Sequence, residues 1–252
     1  MDLGITGKRA LVVGGGSGLG LACAEALAAE GVALTLFARD GDRLRAVAAD
    51  LHARFAVEIR VFAGDLTRMA DVRNLAASLT GTEAPQILVL NTPRPPSPMR
   101  DFLAETEDAR WQAACRDQLE GALNLLRVVP PLMLGRGWGR IIGITSASVK
   151  QPMPRHAISS IFRAGVQAAL KHLASELGPE GITVNAVAPA TILTPTFAQY
   201  HDLEARVRPL PLRRAGTVQE LGGTVAFLAS QQAGFLTGQV LQLDGGMTTS
   251  LV

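Results

Sequence analysis

The chain has 252 residues, a formal charge of +2, 48% hydrophobic residues and 4% aromatics. That length suits one large α/β domain spanning residues 1–252, and the apolar share excludes a disordered chain. The balanced charge, with no dense Lys/Arg run, leaves no electrostatic footprint for nucleic acid or an anionic membrane.

Taken in order, short apolar or β-branched runs alternate with longer stretches of helical period. Arg9 to Val13 reads as a buried strand, Gly18 to Glu30 as an Ala-rich helix and Val32 to Phe37 as a strand, which is one βαβ unit. The alternation continues through a helix at Arg43 to Ala53, a strand at Glu58 to Phe62, a helix at Met69 to Leu79 and a strand at Gln86 to Leu90. Helical stretches from Trp111 to Leu134 precede a strand at Arg140 to Thr145. A helix at Ser159 to Leu177, a strand at Thr183 to Val187, a helix at Val218 to Ala229 and a strand at Gln239 to Leu243 complete the series. Parallel strands joined by crossover helices predict a doubly wound, mainly parallel Rossmann-type sheet. Pro93 to Pro98 reads as a stiff loop at a strand end.

Cys23 and Cys115 fall in separate helical stretches among small residues, as packed thiols rather than a redox pair or metal site do. No stretch reaches the roughly 18 apolar residues of a membrane span, and Met1-Asp2-Leu3-Gly4 does not open a signal segment. The expectation is a cytoplasmic protein with no metal site.

Val13-Gly14-Gly15-Gly16-Ser17-Gly18-Leu19-Gly20 follows a strand and opens a helix. Glycines there permit a tight turn and let the backbone approach a pyrophosphate, whose charge the helix N-terminus stabilises. Gly14, Gly16, Ser17, Gly18, Leu19 and Gly20 are therefore candidate cofactor contacts. A glycine-rich turn without a ligand is the alternative. After the second strand, Ala38-Arg39 stands where a dinucleotide fold usually places the acidic residue that holds the adenosine ribose. A neutral residue followed by Arg favours NADP over NAD. Arg39 as a solvated loop residue, with Asp40 as ribose ligand or helix cap, is the competing reading. Asp65 is placed either to meet the adenine or to cap the next helix.

With these features the chain resembles the short-chain dehydrogenase/reductase family over almost its whole length. The glycine turn is similar to TGxxxGxG with Val13 for Thr, Asn185 to Thr194 resembles NxxxPGxxxT with Ala190 for Gly, and Leu236 to Gly246 resembles the family's final strand and turn. The overall look is nearest to the 3-oxoacyl-carrier-protein reductase type. The resemblance implies further cofactor contacts at Leu66, Asn91, Pro189, Ile192 and Thr194. It also implies a small-molecule carbonyl or alcohol substrate and a homotetramer or homodimer.

The same resemblance carries a catalytic group of Asn, Ser, Tyr and Lys, the last two spaced YxxxK. Ser146 matches the serine, but Gln118 falls at the Asn position, Ser159 at the Tyr and Arg163 at the Lys, and NNAG has become Leu90-Asn91-Thr92-Pro93. A phenol with a pKa of about 10 is within reach of tuning by a nearby ammonium; a serine hydroxyl is a far weaker acid and sits about a ring's length closer to the backbone. Arg163 can hold ribose hydroxyls but does not lose a proton near neutral pH. His156, three positions before Ser159, shares its face if the helix reaches back past Pro154, and a histidine titrates in the right range. A loop or interface histidine is the alternative. Lys150 reads as solvated.

Thr194 to Arg214 reads as a segment covering the cleft, with Phe197, Tyr200 and Leu203 either lining it or packing on the body of the protein. Two functions are expected from the whole. One is an NADP-dependent oxidoreductase with an altered proton-donor site, in which Ser146 binds the reacting oxygen, Arg163 the nicotinamide ribose, and water or His156 supplies the proton. The other is a nucleotide-binding sensor or partner subunit that has lost hydride chemistry.

Overall fold

The structure is a computed structural model, and it describes residues 2–197 and 202–251. Along the chain run β1 (Arg9–Val13), α1 (Gly18–Ala29), β2 (Ala33–Ala38), α2 (Gly41–Phe55), β3 (Ile59–Ala63), α3 (Met69–Ser78) and β4 (Ile87–Asn91). Next come α4 (Asp108–Ala114), α5 (Gly121–Val128), β5 (Gly139–Ile144), α6 (Ala157–Leu177), β6 (Ile182–Pro189) and β7 (Ile192–Leu193). The last elements are α7 (Leu203–Val207), β8 (Gly216–Thr217), α8 (Val218–Ala229) and β9 (Val240–Leu243).

Seven strands form one sheet in the order β3-β2-β1-β4-β5-β6-β9, every neighbouring pair parallel. The period of two along each strand decides which layer a side chain enters. Ala10 and Val12 of β1, with Ile87 and Val89 of β4, face Leu27 of α1, Leu44 of α2 and Leu221 of α8. Leu11, Val13, Leu88 and Leu90 point the other way, to Leu75 of α3, Leu125 of α5 and Val166 of α6. Helices thus cover both faces, which is why the strands are apolar on both sides and not only on alternate residues. The predicted doubly wound sheet is the fold observed.

The strand order reverses between β1 and β4. Loops that leave the carboxyl ends of these two strands turn to opposite faces and open a crevice. The turn after β2 and the turn after β5 flank that crevice, three inter-strand spacings or roughly 14 Å apart.

Three local features depart from the predicted elements. The stretch expected to be helical from Trp111 to Leu134 is interrupted by a π-helical turn at Cys115–Glu120 and ends in a 3-10 turn at Pro130–Met133. Helix α6 begins at Ala157, two residues earlier than predicted. The prolines that argued for a late start precede it, and His156 itself is the N-cap, its carbonyl taking both the N–H and the hydroxyl of Ser160. Finally, β7 and β8 form a short parallel pair beyond the main sheet, two strands that the sequence reading did not include. Helix α8 has the predicted bounds, opened by a capping box in which Thr217 and Glu220 bond each other's backbone N–H.

Candidate active site

A cavity of about 740 Å³ occupies the crevice. Its first half is built by the glycine turn. Gly14 has φ +73°, and a Cβ there would lie 2.8 Å from the Asn91 carbonyl. Ser17 caps α1 with extended backbone and makes no side-chain capping bond, so the first N–H groups of the helix are left for a ligand. Gly20 faces away from the cavity. A Cβ on it would sit 2.1 Å from the Gly14 carbonyl oxygen, so this glycine keeps helix and turn in contact. Gly20→Ala is expected to cost roughly 3 kcal/mol, by forcing backbone against backbone. Urea unfolding of the variant checks it.

Past β2, Arg39 and Asp40 both line the cavity, and Asp40 also caps α2, its Oδ1 accepting the Arg43 N–H. Arg43 also lines the cavity and donates from Nε to the Gly16 carbonyl at 2.8 Å. Asp65 accepts both the N–H and the hydroxyl of Thr67. Burial pushes its carboxyl up, but these bonds and the charges of Arg39 and Arg68 outweigh burial and hold it below the usual range. The α3 cap position itself is Arg68, so Asp65 stands in the turn before the helix, on the cavity wall.

The second half lies beyond β5. Ser146 follows that strand as the cap of a short 3-10 turn at Ala147–Val149, with its Oγ accepting from the Ser148 N–H and 2.9 Å from the Ser148 hydroxyl. Ser159 and Arg163 stand one turn apart on α6. Arg163 donates from Nη1 to the Ser159 Oγ at 2.7 Å and to the Gln118 Oε1 at 3.1 Å. The π-helical turn carries Gln118 inward, fully buried, behind the cavity wall. Among the described residues, the buried Arg163 Nε and Gln118 Nε2 have no hydrogen-bond partner. Burial in the first place, and the charge of Arg94 in the second, push the Arg163 guanidinium down to about 10.

His156 lines the same half. Its Nδ1 is 2.7 Å from the Pro154 carbonyl, which can only accept, so Nδ1 carries the proton and Nε2 presents its lone pair to Arg206 at 3.4 Å. Burial lowers its pKa first. The Pro154 bond opposes that shift, and the charges of Arg206, Arg163 and Arg155 add to it. A base whose pKa falls on folding is bound by more protons when unfolded, so its contribution to stability is complete above about pH 6.5 and is lost as pH drops toward the folded pKa. His156→Gln is therefore expected to flatten the decline in stability from pH 7.5 to pH 5, as read by denaturant unfolding at each pH; an unchanged slope would contradict this environment.

Of the residues singled out from sequence, Gly14, Gly16, Ser17, Gly18, Leu19, Arg39, Asp40, Asp65, Leu66, Asn91, Ser146, His156, Ser159, Arg163, Pro189, Ile192 and Thr194 all line this one cavity. Gly20 and Gln118 stand behind it. Phe197 lines it and is buried, Leu203 is 41% exposed and outside the lining, and Tyr200 lies outside the described residues. Arg43 and Arg94 were missed. The first stands one helical turn past Arg39, a signal that could have been read; the second hides in the proline-rich loop. The residues present fit a dinucleotide: a glycine cradle with open N–H groups, a guanidinium beside the ribose position and a buried Arg163 Nε needing an acceptor.

A glycine turn opening a helix at one flank of the crevice and Ser146 at the other, on a doubly wound parallel sheet, place the chain in the class of nicotinamide-dependent α/β oxidoreductases. The family model described as Enoyl-(Acyl carrier protein) reductase matches residues 13–248. The chain belongs to the short-chain dehydrogenase/reductase family. It is 32% identical over 247 residues to 3-oxoacyl-[acyl-carrier-protein] reductase of Staphylococcus epidermidis, covering 95% of this chain and 98% of that one. It is 31% identical over 245 residues to the NAD(+)-dependent 2-dehydro-3-deoxy-L-rhamnonate dehydrogenase of a Sphingomonas species, covering 96% of each. The crystal structure of L-sorbose reductase from Gluconobacter frateurii, complexed with NADPH and L-sorbose, superposes with a TM-score of 0.91 at 31% identity, covering all of both chains. Among the described residues no helix is long and apolar enough to cross a membrane.

Proposed function

We propose that the protein is an NADP-dependent reductase or dehydrogenase of a small carbonyl or alcohol in which no side chain takes the place of the family's phenol. The observation that carries the reading is the continuity of one cavity from Arg39, past the glycine turn, to Ser146, Ser159 and Arg163. A bound NADPH would supply hydride. Ser146 orients the reacting oxygen by donating its hydroxyl proton, which is free to turn from Ser148 because Oγ already accepts a backbone N–H there. Arg163 holds the nicotinamide ribose, and its charge stabilises the developing alkoxide.

The proton is the open step. Ser159 uses its oxygen as an acceptor for Arg163 and is a poor acid. The single N–H of neutral His156 is committed to Pro154, and adding a proton at Nε2 is opposed by Arg206. Water entering the cleft is the donor this geometry favours over His156. The NADPH complex of sorbose reductase supports the cofactor, while the NAD(+)-dependent relative leaves Arg39, on the cavity wall, as the main support for NADP. The test is turnover of a broad carbonyl and alcohol panel with each nicotinamide: activity with NADPH is expected, and none with either cofactor would defeat the reading.

The second reading, a nucleotide-binding sensor or partner subunit without hydride chemistry, is favoured by one contact. The Ser159–Arg163 bond fills the place where the family's acid and its ammonium would act with a neutral acceptor and a guanidinium.

A further inference from the structure

Ser146 reaches the cavity as the outer member of a pair of hydroxyls. Its Oγ stands 2.9 Å from the Ser148 Oγ and accepts the Ser148 backbone N–H at 3.2 Å. Ser146 lines the cavity, whereas Ser148 is 1% exposed and outside the lining. Backbone bonds hold the spacing. The Thr145 N–H meets the Val187 carbonyl of β6, and the N–H groups of Val149 and Lys150 meet the Ser146 and Ala147 carbonyls, closing the turn that carries Ser148.

Two hydroxyls at this distance place one proton on the line between them, and which of them gives it decides what Ser146 can do. Were Ser146 the donor, the Ser148 proton would be left buried without an acceptor, because among the described residues the one hydrogen-bond partner of that hydroxyl is the Ser146 Oγ. A buried donor left unpaired is costly. With Ser148 as the donor, Ser146 Oγ accepts twice from one residue, from its N–H and its O–H, and turns its own proton toward the cavity. That arrangement strands no group. The neighbouring hydroxyls are engaged elsewhere, since Thr145 donates to the Val187 carbonyl and Ser159 accepts from Arg163.

We propose that Ser148 is a positioning residue whose hydroxyl donates to Ser146 and thereby fixes the Ser146 hydroxyl as a donor into the cavity. This rests on the reading of Ser146 as the group that binds the reacting oxygen, and adds what sets its proton. Donation along the pair also polarises the outer hydroxyl, which strengthens the bond it offers to a forming alkoxide. Neither serine gives up its proton. The pair stabilises the oxygen, and the proton that the alkoxide takes arrives by another route.

Neutron diffraction from crystals of the deuterated protein reads the polarity directly, with or without turnover. The expected result is deuterium on the Ser148 Oγ along the line to Ser146, and the Ser146 deuterium toward the cavity; the Ser146 deuterium on that line overturns the proposal. Kinetics read the consequence, as NADPH consumption on the carbonyl panel. Ser148→Ala is expected to lower kcat about tenfold while KM and NADPH affinity change by less than about twofold, because the bond matters most once charge has developed on the oxygen. Ser148→Thr keeps the hydroxyl and is expected to recover most of the rate, with the folding of each variant checked by circular dichroism. A native kcat in Ser148→Ala beside lost activity in Ser146→Ala overturns the proposal and leaves the reading of Ser146 standing. Native activity in Ser146→Ala rejects that reading, and the part given to Ser148 in the reaction goes with it. In a chain without turnover, the diffraction result decides.

Discussion

Ser159→Tyr combined with Arg163→Lys is expected to raise carbonyl turnover with NADPH by roughly 10²- to 10⁴-fold, the range a positioned general acid contributes. The expectation follows from position. Ser159 is buried on the cavity wall with its Oγ drawn toward Arg163, so a tyrosine ring at this site has the cleft to extend into. Its hydroxyl would reach about a ring's length further than the serine oxygen, toward the oxygen that Ser146 is proposed to orient. A lysine at 163 replaces a group that keeps its proton with an ammonium that can lower the phenol's pKa. Both changes are needed, because Arg163 alone gives the phenol charge without a proton relay, and Ser159 alone gives the lysine nothing to tune.

Turnover of native and double-variant protein on the same panel, followed by NADPH consumption, separates the two functional readings. A native rate above background that the exchange leaves unaltered sinks the sensor reading, since the chain then has a working proton route of its own. A native protein with no turnover and a variant with a clear rate would place the lapse at these two positions. The third outcome, a native rate that falls in the variant, means that the Ser159–Arg163 pair belongs to the native chemistry and that a tyrosine obstructs it.

Much of this fold is legible because its signals are local. Alternation along β1 and β4 divides Val12 from Val13 and Val89 from Leu90, and that division is the two-layer core. The glycine turn is legible because its requirements are steric: the positive φ of Gly14 and the contact at Gly20 forbid a side chain. Cap against ligand is a different kind of question. Asp40 has the composition of both, and in the structure it caps α2 through the Arg43 N–H and also lines the cavity. The inward turn of Gln118 depends on a π-helical insertion, which leaves no mark in a pattern read at 3.6 residues per turn. Arg206 meets His156 across 50 positions of sequence, so its part in the site exists only after folding.

Arg39→Ala is expected to weaken NADPH binding on the order of 10- to 100-fold and to leave NADH nearly unchanged, as calorimetry of each cofactor will read. On the proposed assignment the asymmetry arises because the two cofactors differ only in the 2′-phosphate, which Arg39 would meet; Asp40 beside it also lines the cavity, but its Oδ1 is held by the Arg43 N–H of the α2 cap. Exposure limits the effect. Arg39 stands at the cavity rim, so salt screens its charge, and the preference for NADPH should shrink as ionic strength rises through a few tenths molar. Arg43 is the internal control. Its Nε is bound to the Gly16 carbonyl, which fixes the guanidinium against the glycine turn. Arg43→Ala is expected to weaken both cofactors, by loosening the turn that carries the pyrophosphate. Equal affinities of the native protein for NADPH and NADH would refute the assignment at Arg39, and a preference that survives Arg39→Ala but not Arg43→Ala would move it one helical turn along α2.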